Sequence, residues 1–293
     1  MRYIKEFDPW KNELCKCPPK YTFNPYTGCR FSCRYCYITS YIKDGFRPRV
    51  KEIDFYTFEK EVSKISKDGR PLALSLSTDA YQPLESKYMY TRRILKILGK
   101  YDIPTLITTK SSQILRDLDL LENMNVAISI TITTLNEDIA SKLEPYAPRP
   151  SARVYTLEKL VSRGIPVTVR IDPIIPSITD DLRSITDAIK LYRDIGVRHI
   201  VASIYKVKPD NLRRILEVYP DFITTYRRIY NPSRRIKGYI YPDPNYTFRI
   251  LSQIRDITMK NGLTFNTCRD GFEFLDSIGC YCDSSHMLKP IIK

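Results

Sequence analysis

The sequence is short of several things, and each shortage excludes a class of protein. No run of about 18 apolar residues occurs, so no helix of membrane-spanning length is expected. The stretch from Met1 to Trp10 is mixed and charged. It lacks the apolar core of a secretory signal, and the expected setting is the cytoplasm. No G-x-G-x-x-G and no G-x-x-x-x-G-K-[ST] occurs, which removes the commonest phosphate-cradling loops. Histidine is nearly missing, with only His199 and His286. Glutamine is limited to Gln82, Gln113 and Gln253, a scarcity associated with hot habitats. Cysteine is missing between residues 37 and 267. No repeat of 20–50 residues and no low-complexity stretch is found.

The 293 residues are 43% apolar. That supplies a substantial core and argues for one large α/β domain, or a domain with an appendage. The formal net charge is +14. It serves solubility, or points to an anionic partner such as nucleic acid or a phosphorylated substrate. The densest basic groups are Arg213-Arg214, Arg227-Arg228 and Arg234-Arg235-Ile236-Lys237. Eight cysteines in a chain expected to be cytosolic argue for metal binding or catalysis rather than a disulfide framework.

Short apolar runs alternate with helical patterns. The runs are Tyr21–Tyr26, Leu72–Ser77, Pro104–Thr109, Val126–Thr131, Val167–Ile171 and His199–Val207. Their length and composition predict buried parallel strands. Between them, Arg92–Leu98, Ser112–Leu121, Ser151–Val161 and Asp180–Tyr192 carry apolar residues on one helical face. Gly99, Gly164 and Gly196 stand where helices should stop. Six β-then-α units predict an α/β fold, a partial (β/α)6 TIM-type barrel with its chemistry at the strand C-termini. Residues 21–207 form that barrel. Residues 1–20 are a short N-terminal lead with Cys15 and Cys17. Residues 208–293 are an α+β C-terminal extension with Cys268, Cys280 and Cys282. In it, Phe248–Met259 predicts a helix and Leu263–Asn266 a short strand.

Cys29-Arg-Phe-Ser-Cys33-Arg-Tyr-Cys36 follows the first strand. Three thiolates so close together wrap one face of a soft metal or cluster. A closed zinc site needs a fourth ligand, and none stands nearby. A [4Fe–4S] cluster on three cysteines instead keeps one iron open. A zinc knuckle completed by a distant cysteine is the alternative.

This C-x3-C-x2-C, with aromatic Tyr35 before its last cysteine, resembles the hallmark of the radical S-adenosylmethionine superfamily. Four further segments resemble its branch related to spore photoproduct lyase. They are Asn24-Pro-Tyr-Thr-Gly28, Ser77-Thr-Asp-Ala-Tyr-Gln-Pro-Leu-Glu85, Ile128-Ser-Ile-Thr131 with Leu143-Glu-Pro145, and Arg170-Ile-Asp-Pro-Ile-Ile-Pro176. The resemblance covers roughly residues 20–207. It implies a cluster held by Cys29, Cys33 and Cys36 as the catalytic centre. The open iron would bind S-adenosylmethionine, whose reductive cleavage gives a 5′-deoxyadenosyl radical that abstracts hydrogen from a substrate. It implies an electron donor such as ferredoxin or flavodoxin.

On that resemblance, Tyr35 lies at the cofactor. Ser77, Thr78 and Asp79 are expected at the cofactor's amino group, with Asp79 equally able to cap the next helix. Arg170 or Lys110 is expected at its carboxylate, Arg170 being the better bidentate partner unless it pairs with Asp172 or Asp102. Ser129 is expected at the ribose, or else bonded within its own strand. Spore photoproduct lyase carries a hydrogen-donating cysteine on its second strand, where this chain has Leu76. Tyr81 or another tyrosine is then a candidate donor.

The remaining Cys15, Cys17, Cys268, Cys280 and Cys282 are a possible second metal site. The choices are a second iron–sulfur cluster, zinc, or no metal at all. Three functions remain open at this point. They are a radical enzyme on an unidentified substrate, a nucleic-acid repair or modification enzyme of the lyase type, and a non-catalytic zinc-stabilised nucleic-acid-binding module.

Overall fold

The computed structural model describes residues 1–8 and 12–290. Part of the N-terminal lead, 9–11, and the last three residues lie outside the described residues. Eight strands form one sheet in chain order: β1 (Lys5–Glu6), β2 (Tyr21–Phe23), β3 (Leu72–Leu74), β4 (Thr105–Thr109), β5 (Val126–Thr131), β6 (Val167–Ile174), β7 (His199–Ile204) and β8 (Thr264–Thr267). Strands β2 to β8 run parallel, and β1 adds antiparallel to β2. Edge strands β1 and β8 do not pair with each other, so the barrel is partial and open.

All six apolar runs become strands of this sheet. The short strand at residues 264–267 departs from its expected place on the extension. It is a parallel member of the sheet beside β7, with Phe265 opposite Ile200. Two helices also depart from expectation. Phe55–Ile65, absent from the expected helices, buries Phe55, Phe58, Val62 and Ile65 at helical spacing. Ser112–Asp117 is a 3-10 turn that gives way to a short α-helix, Leu118–Leu121. Its buried residues, Ile114 and Asp117, are three apart, the period of that tighter helix.

Helix ends follow local chemistry. Asp181 caps Leu182–Ile195 by accepting from Ser184 N, and Gly196 ends it at φ +102°. Gly99 does not stop its helix. It lies inside Tyr90–Lys100, whose last turn closes through Tyr101 N–H to Leu98 O at 3.2 Å.

The concave face of the sheet is built in layers. Ala73, Leu106 and Ala127 form the lowest, and Met287 and Leu288 of the C-terminal segment pack against them. Ser129 and Thr168, side by side in register, bond the Ser284 hydroxyl one layer up, at 3.0 and 2.8 Å. Thr131 and Arg170 are neighbours in the next layer. Ser284, Met287 and Leu288 therefore fill the barrel base, and the main cavity lies toward the strand C-termini. No helix among the described residues is long and apolar enough to cross a membrane.

Candidate active site

The strand C-termini open into a cavity of about 570 Å³. Cys29, Cys33 and Cys36 line it together with Tyr35, Ser77, Thr78, Asp79, Lys110, Thr131 and Arg170. Cys33 and Cys36 are close enough to Cys29 to raise its pKa, and Cys36 raises that of Cys33. Burial pushes Cys33 up to about 12, and burial followed by the charges of Asp79, Cys33 and Cys36 holds Cys29 well above its ordinary value. Such thiols stay protonated until a metal displaces the protons.

The loop that carries them is gripped from both sides. Gly28 has φ +77°, and a Cβ there would meet Gly45 O at 2.8 Å, so only glycine fits the turn. Gln82 is fully buried. Its Nε2 donates to Gly28 O at 3.1 Å and to Thr78 Oγ1 at 3.0 Å, and its Oε1 accepts from Arg30 N–H. On the other side, helix Pro209–Leu216 supplies Asn211 and Arg214. Asn211 Nδ2 donates to Tyr35 O at 3.1 Å, and Arg214 donates to Arg34 O at 3.0 Å and Cys36 O at 2.6 Å. Arg214 is thus a clamp on the cysteine loop, not part of a free basic surface. Gln82 lies in the Ser77–Glu85 segment noted in the sequence but was given no role there, and Asn211 did not stand out, since each acts on backbone far away in the chain.

Tyr35 lends its ring to the cavity, while its hydroxyl hydrogen-bonds Glu144 and Thr133. Glu144 forms a buried ion pair with Arg153. Burial alone would raise the Glu144 carboxyl, but Arg153 and Lys110 outweigh it and hold it below its usual range. The Leu143-Glu144-Pro145 segment therefore anchors the aromatic of the cysteine loop.

Asp79 is buried and ties two strand ends together. It accepts from Tyr81 N–H at 2.9 Å, from Thr109 Oγ1 at 2.7 Å and from Lys110 N–H at 2.9 Å. Burial raises its pKa despite these bonds. Thr78 Oγ1 donates to Gly28 O at 2.5 Å, and Ser77 N–H to Asn24 Oδ1 at 3.2 Å. The Lys110 ammonium lies 5.7 Å from the Tyr35 ring centroid. Burial would lower its pKa, but the neighbouring Cys33, Glu144 and Asp79 raise it on balance.

Other expected residues are placed differently. Ser129 is not among the cavity-lining residues. It lies one layer below Thr131, about 7 Å down the strand, and its hydroxyl is taken by Ser284. Arg170 lines the cavity but donates to Asp172 at 2.7 Å and to Cys282 O at 2.6 Å, so it faces the C-terminal cysteines. Tyr81 is packed in the core and does not line the cavity. Leu76 lines it and carries no transferable hydrogen donor.

Cys15, Cys17, Cys268 and Cys282 line the same cavity, whereas Cys280 does not. Cys280 groups with His199 and His286, their ligand atoms within 4.8 Å of one another. Hydrogen bonding argues against an ion there. His286 Nδ1 accepts from Tyr281 N–H at 3.0 Å, so a neutral ring carries its proton on Nε2. His199 Nδ1 meets Thr264 Oγ1, whose hydroxyl is donated to Arg198 O. That leaves His199 Nε2 a bare acceptor. His286 therefore offers an ion no free lone pair, while His199 Nε2 is buried without a hydrogen-bond partner.

The residues present fit a three-cysteine cluster with a polar ligand beside it. Ser75 Oγ and Thr22 Oγ1, both lining the cavity, are buried without a hydrogen-bond partner. Buried hydroxyls left so are satisfied by a bound molecule.

Comparisons with known proteins agree with this geometry. The chain is 32% identical over 168 residues to an uncharacterized protein of Methanocaldococcus jannaschii, spanning 55% of this chain and 62% of that one. It is 21% identical over 255 residues to the radical SAM Nα-GlyT isomerase of Pseudomonas phage M6, covering 83% of this chain and 52% of the isomerase. In fold it is similar to spore photoproduct lyase complexed with dinucleoside spore photoproduct. The TM-score is 0.67 at 14% identity, over 88% of this chain and 80% of the lyase. The sequence profile of the Radical SAM superfamily matches residues 23–185, more than half of the 293, and the chain belongs to that superfamily.

Proposed function

We propose that this chain is a radical S-adenosylmethionine enzyme whose [4Fe–4S] cluster is held by Cys29, Cys33 and Cys36. The observation that carries the reading is the convergence of three thiols, Cys33 buried and Cys29 and Cys36 partly so, on one cavity at the strand C-termini, beside an ammonium and a carboxylate. With cluster and cofactor bound, they supply reductive cleavage to a 5′-deoxyadenosyl radical. The protein's part is to bind, orient and exclude water. Asp79 and Thr78 offer acceptors to the cofactor's amino group. Lys110 is the better candidate for its carboxylate, because Arg170 is committed to Asp172 and Cys282. Tyr35 offers a flat apolar wall. Thr131, not Ser129, has the depth to meet the ribose.

The substrate we infer is a nucleic acid or a comparable polyanion. The hairpin Tyr230–Ile236 and Tyr239–Pro242 places Tyr239 in the cavity wall and exposes Arg234, Arg235 and Lys237 beyond it. Phosphate contact by such residues positions a strand without reading its sequence. With Leu76 in the second-strand loop, the lyase's thiol-to-substrate hydrogen return is unavailable at that position. An electron donor of the ferredoxin or flavodoxin class and a reducing, cytoplasmic compartment suit eight free cysteines.

Anaerobic reconstitution with iron and sulfide, followed by dithionite and S-adenosylmethionine, is expected to yield 5′-deoxyadenosine. Its absence from protein with a full iron complement would overturn the reading. One zinc and no iron in anaerobically purified protein would favour a non-catalytic binding module.

A further inference from the structure

Four cysteines outside the 29–36 loop come together from the two ends of the chain. Cys17 Sγ lies 3.5 Å from Cys282 Sγ across 265 residues of sequence. Cys15 is within hydrogen-bonding reach of Cys17, and Cys268 of Cys282. All four are free thiols, partly exposed, and all four line the main cavity.

Cations surround them. Lys20, almost wholly buried, donates to Asp283 at 2.5 Å and also interacts with Cys17. Arg170 is held against the Cys282 carbonyl and faces Cys268, as Arg269 does. Lys20 and Arg170 have carboxylate partners in Asp283 and Asp172, and with Arg269 they still place three cations around the four thiols. A metal centre with four thiolate ligands is net negative and suits that setting.

We propose that Cys15, Cys17, Cys268 and Cys282 hold a second metal centre, an iron–sulfur cluster with four thiolate ligands. The sulfurs form a row, Cys15 to Cys17 to Cys282 to Cys268. A single zinc ion, with sulfurs at about 2.3 Å, draws all four within about 4 Å of one another. Among the described residues, the trio drawn that tightly is His199, Cys280 and His286. A cluster spreads its ligands further apart than the 3.5 Å between Cys17 and Cys282, and the cavity that all four thiols line gives them room to separate around one. Four thiolates saturate it and leave no open iron, so it binds no substrate. It ties the N-terminal lead to the segment that fills the barrel base. This assignment is independent of the role given to Cys29, Cys33 and Cys36.

The test is iron, sulfide and zinc content of the full chain, reconstituted anaerobically. The Cys29→Ala/Cys33→Ala/Cys36→Ala variant is expected to keep about two to four irons per chain, with matching sulfide. Adding Cys268→Ala is expected to remove them. A folded triple variant that holds no iron, or zinc alone, overturns the proposal. So does a Cys17–Cys282 disulfide found by mass spectrometry in protein kept under strong reductant. If the triple variant fails to fold, Cys17→Ser/Cys268→Ser in the otherwise native chain replaces it. It is expected to lose those irons and keep the rest, and an unchanged iron count overturns the proposal. Iron kept by the triple variant without 5′-deoxyadenosine from wild type would instead sink the proposed function and leave this centre standing.

Discussion

The side-chain amide of Gln82 holds Gly28, its Nε2 donating to the Gly28 carbonyl at 3.1 Å, while its Oε1 takes the Arg30 N–H at 3.0 Å. The two bonds straddle Cys29, so one amide on the loop after β3 sets where the first thiol points. Gln82→Ala leaves the partly buried Arg30 N–H unpaired, costing about 1–3 kcal/mol, while Gly28 O keeps only the Thr78 hydroxyl. Denaturant unfolding is expected to register that loss, and iron per chain to fall with it. Full iron content in the variant would show that the loop keeps its shape without the clamp. Gln82→Glu retains the acceptor for Arg30 and loses the donor to Gly28, and is expected to fall between.

Lys110 and Arg170 are the two candidates for the carboxylate of the proposed cofactor, and their partners separate them. Lys110→Met is expected to weaken S-adenosylmethionine binding by about 10- to 150-fold, the worth of a charge-assisted hydrogen bond. Arg170→Met is expected to stay within about threefold, because its guanidinium is engaged elsewhere and the two effects are separable. Equilibrium dialysis of the reconstituted proteins measures both. The reverse ranking would return the role to Arg170.

His199 makes the fold sensitive to mild acid. It is buried, and desolvation first, then the neighbouring His286 and Arg170, bring its pKa down to about 3. In the unfolded chain it titrates near 6.5. Protons therefore bind the unfolded chain first, and stability is lost as the pH falls through about 6.5, levelling off only below the folded value. The expected loss from pH 7 to pH 5 is about 2 kcal/mol. Urea unfolding at the two pH values measures it, and His199→Gln is expected to remove this component. An equal loss in the variant would assign the acid sensitivity to other groups.

Arg234, Arg235 and Lys237 stand exposed on the hairpin whose base meets the cavity. Replacing all three by Glu is expected to weaken binding to single-stranded or duplex nucleic acid. It should also flatten the salt dependence by about 0.9 in slope for each phosphate that is no longer neutralised. Production of 5′-deoxyadenosine without substrate is expected to hold. If wild type shows no salt-dependent affinity at low ionic strength, the polyanion reading fails.

Local pattern carried much of the fold and the centre of the site. The six strand runs were readable because a strand buried on both faces must be apolar along its length, a property of five to nine consecutive residues. The cysteine loop was readable for the same reason, since Cys29, Cys33 and Cys36 lie within one turn of chain. The Leu143-Glu144-Pro145 segment could be noticed, but its purpose could not, because the Tyr35 hydroxyl that Glu144 receives comes from a remote part of the chain.

Depth, direction and long-range pairing were decided only in three dimensions. Ser129 and Thr131 share a strand face, and only the filled barrel base tells which one reaches the cavity. Cys280 and Cys282 are two residues apart, yet a turn sends one thiol to His199 and the other to Cys17. Strand Thr264–Thr267 carries too short a pattern to announce its place, and joins the sheet because β7 offers an unpaired edge. The sequence by itself determined which residues could carry the chemistry. Tertiary structure decided which of them meet, because a pairing across 265 residues depends on how the whole sheet stacks and not on any local period.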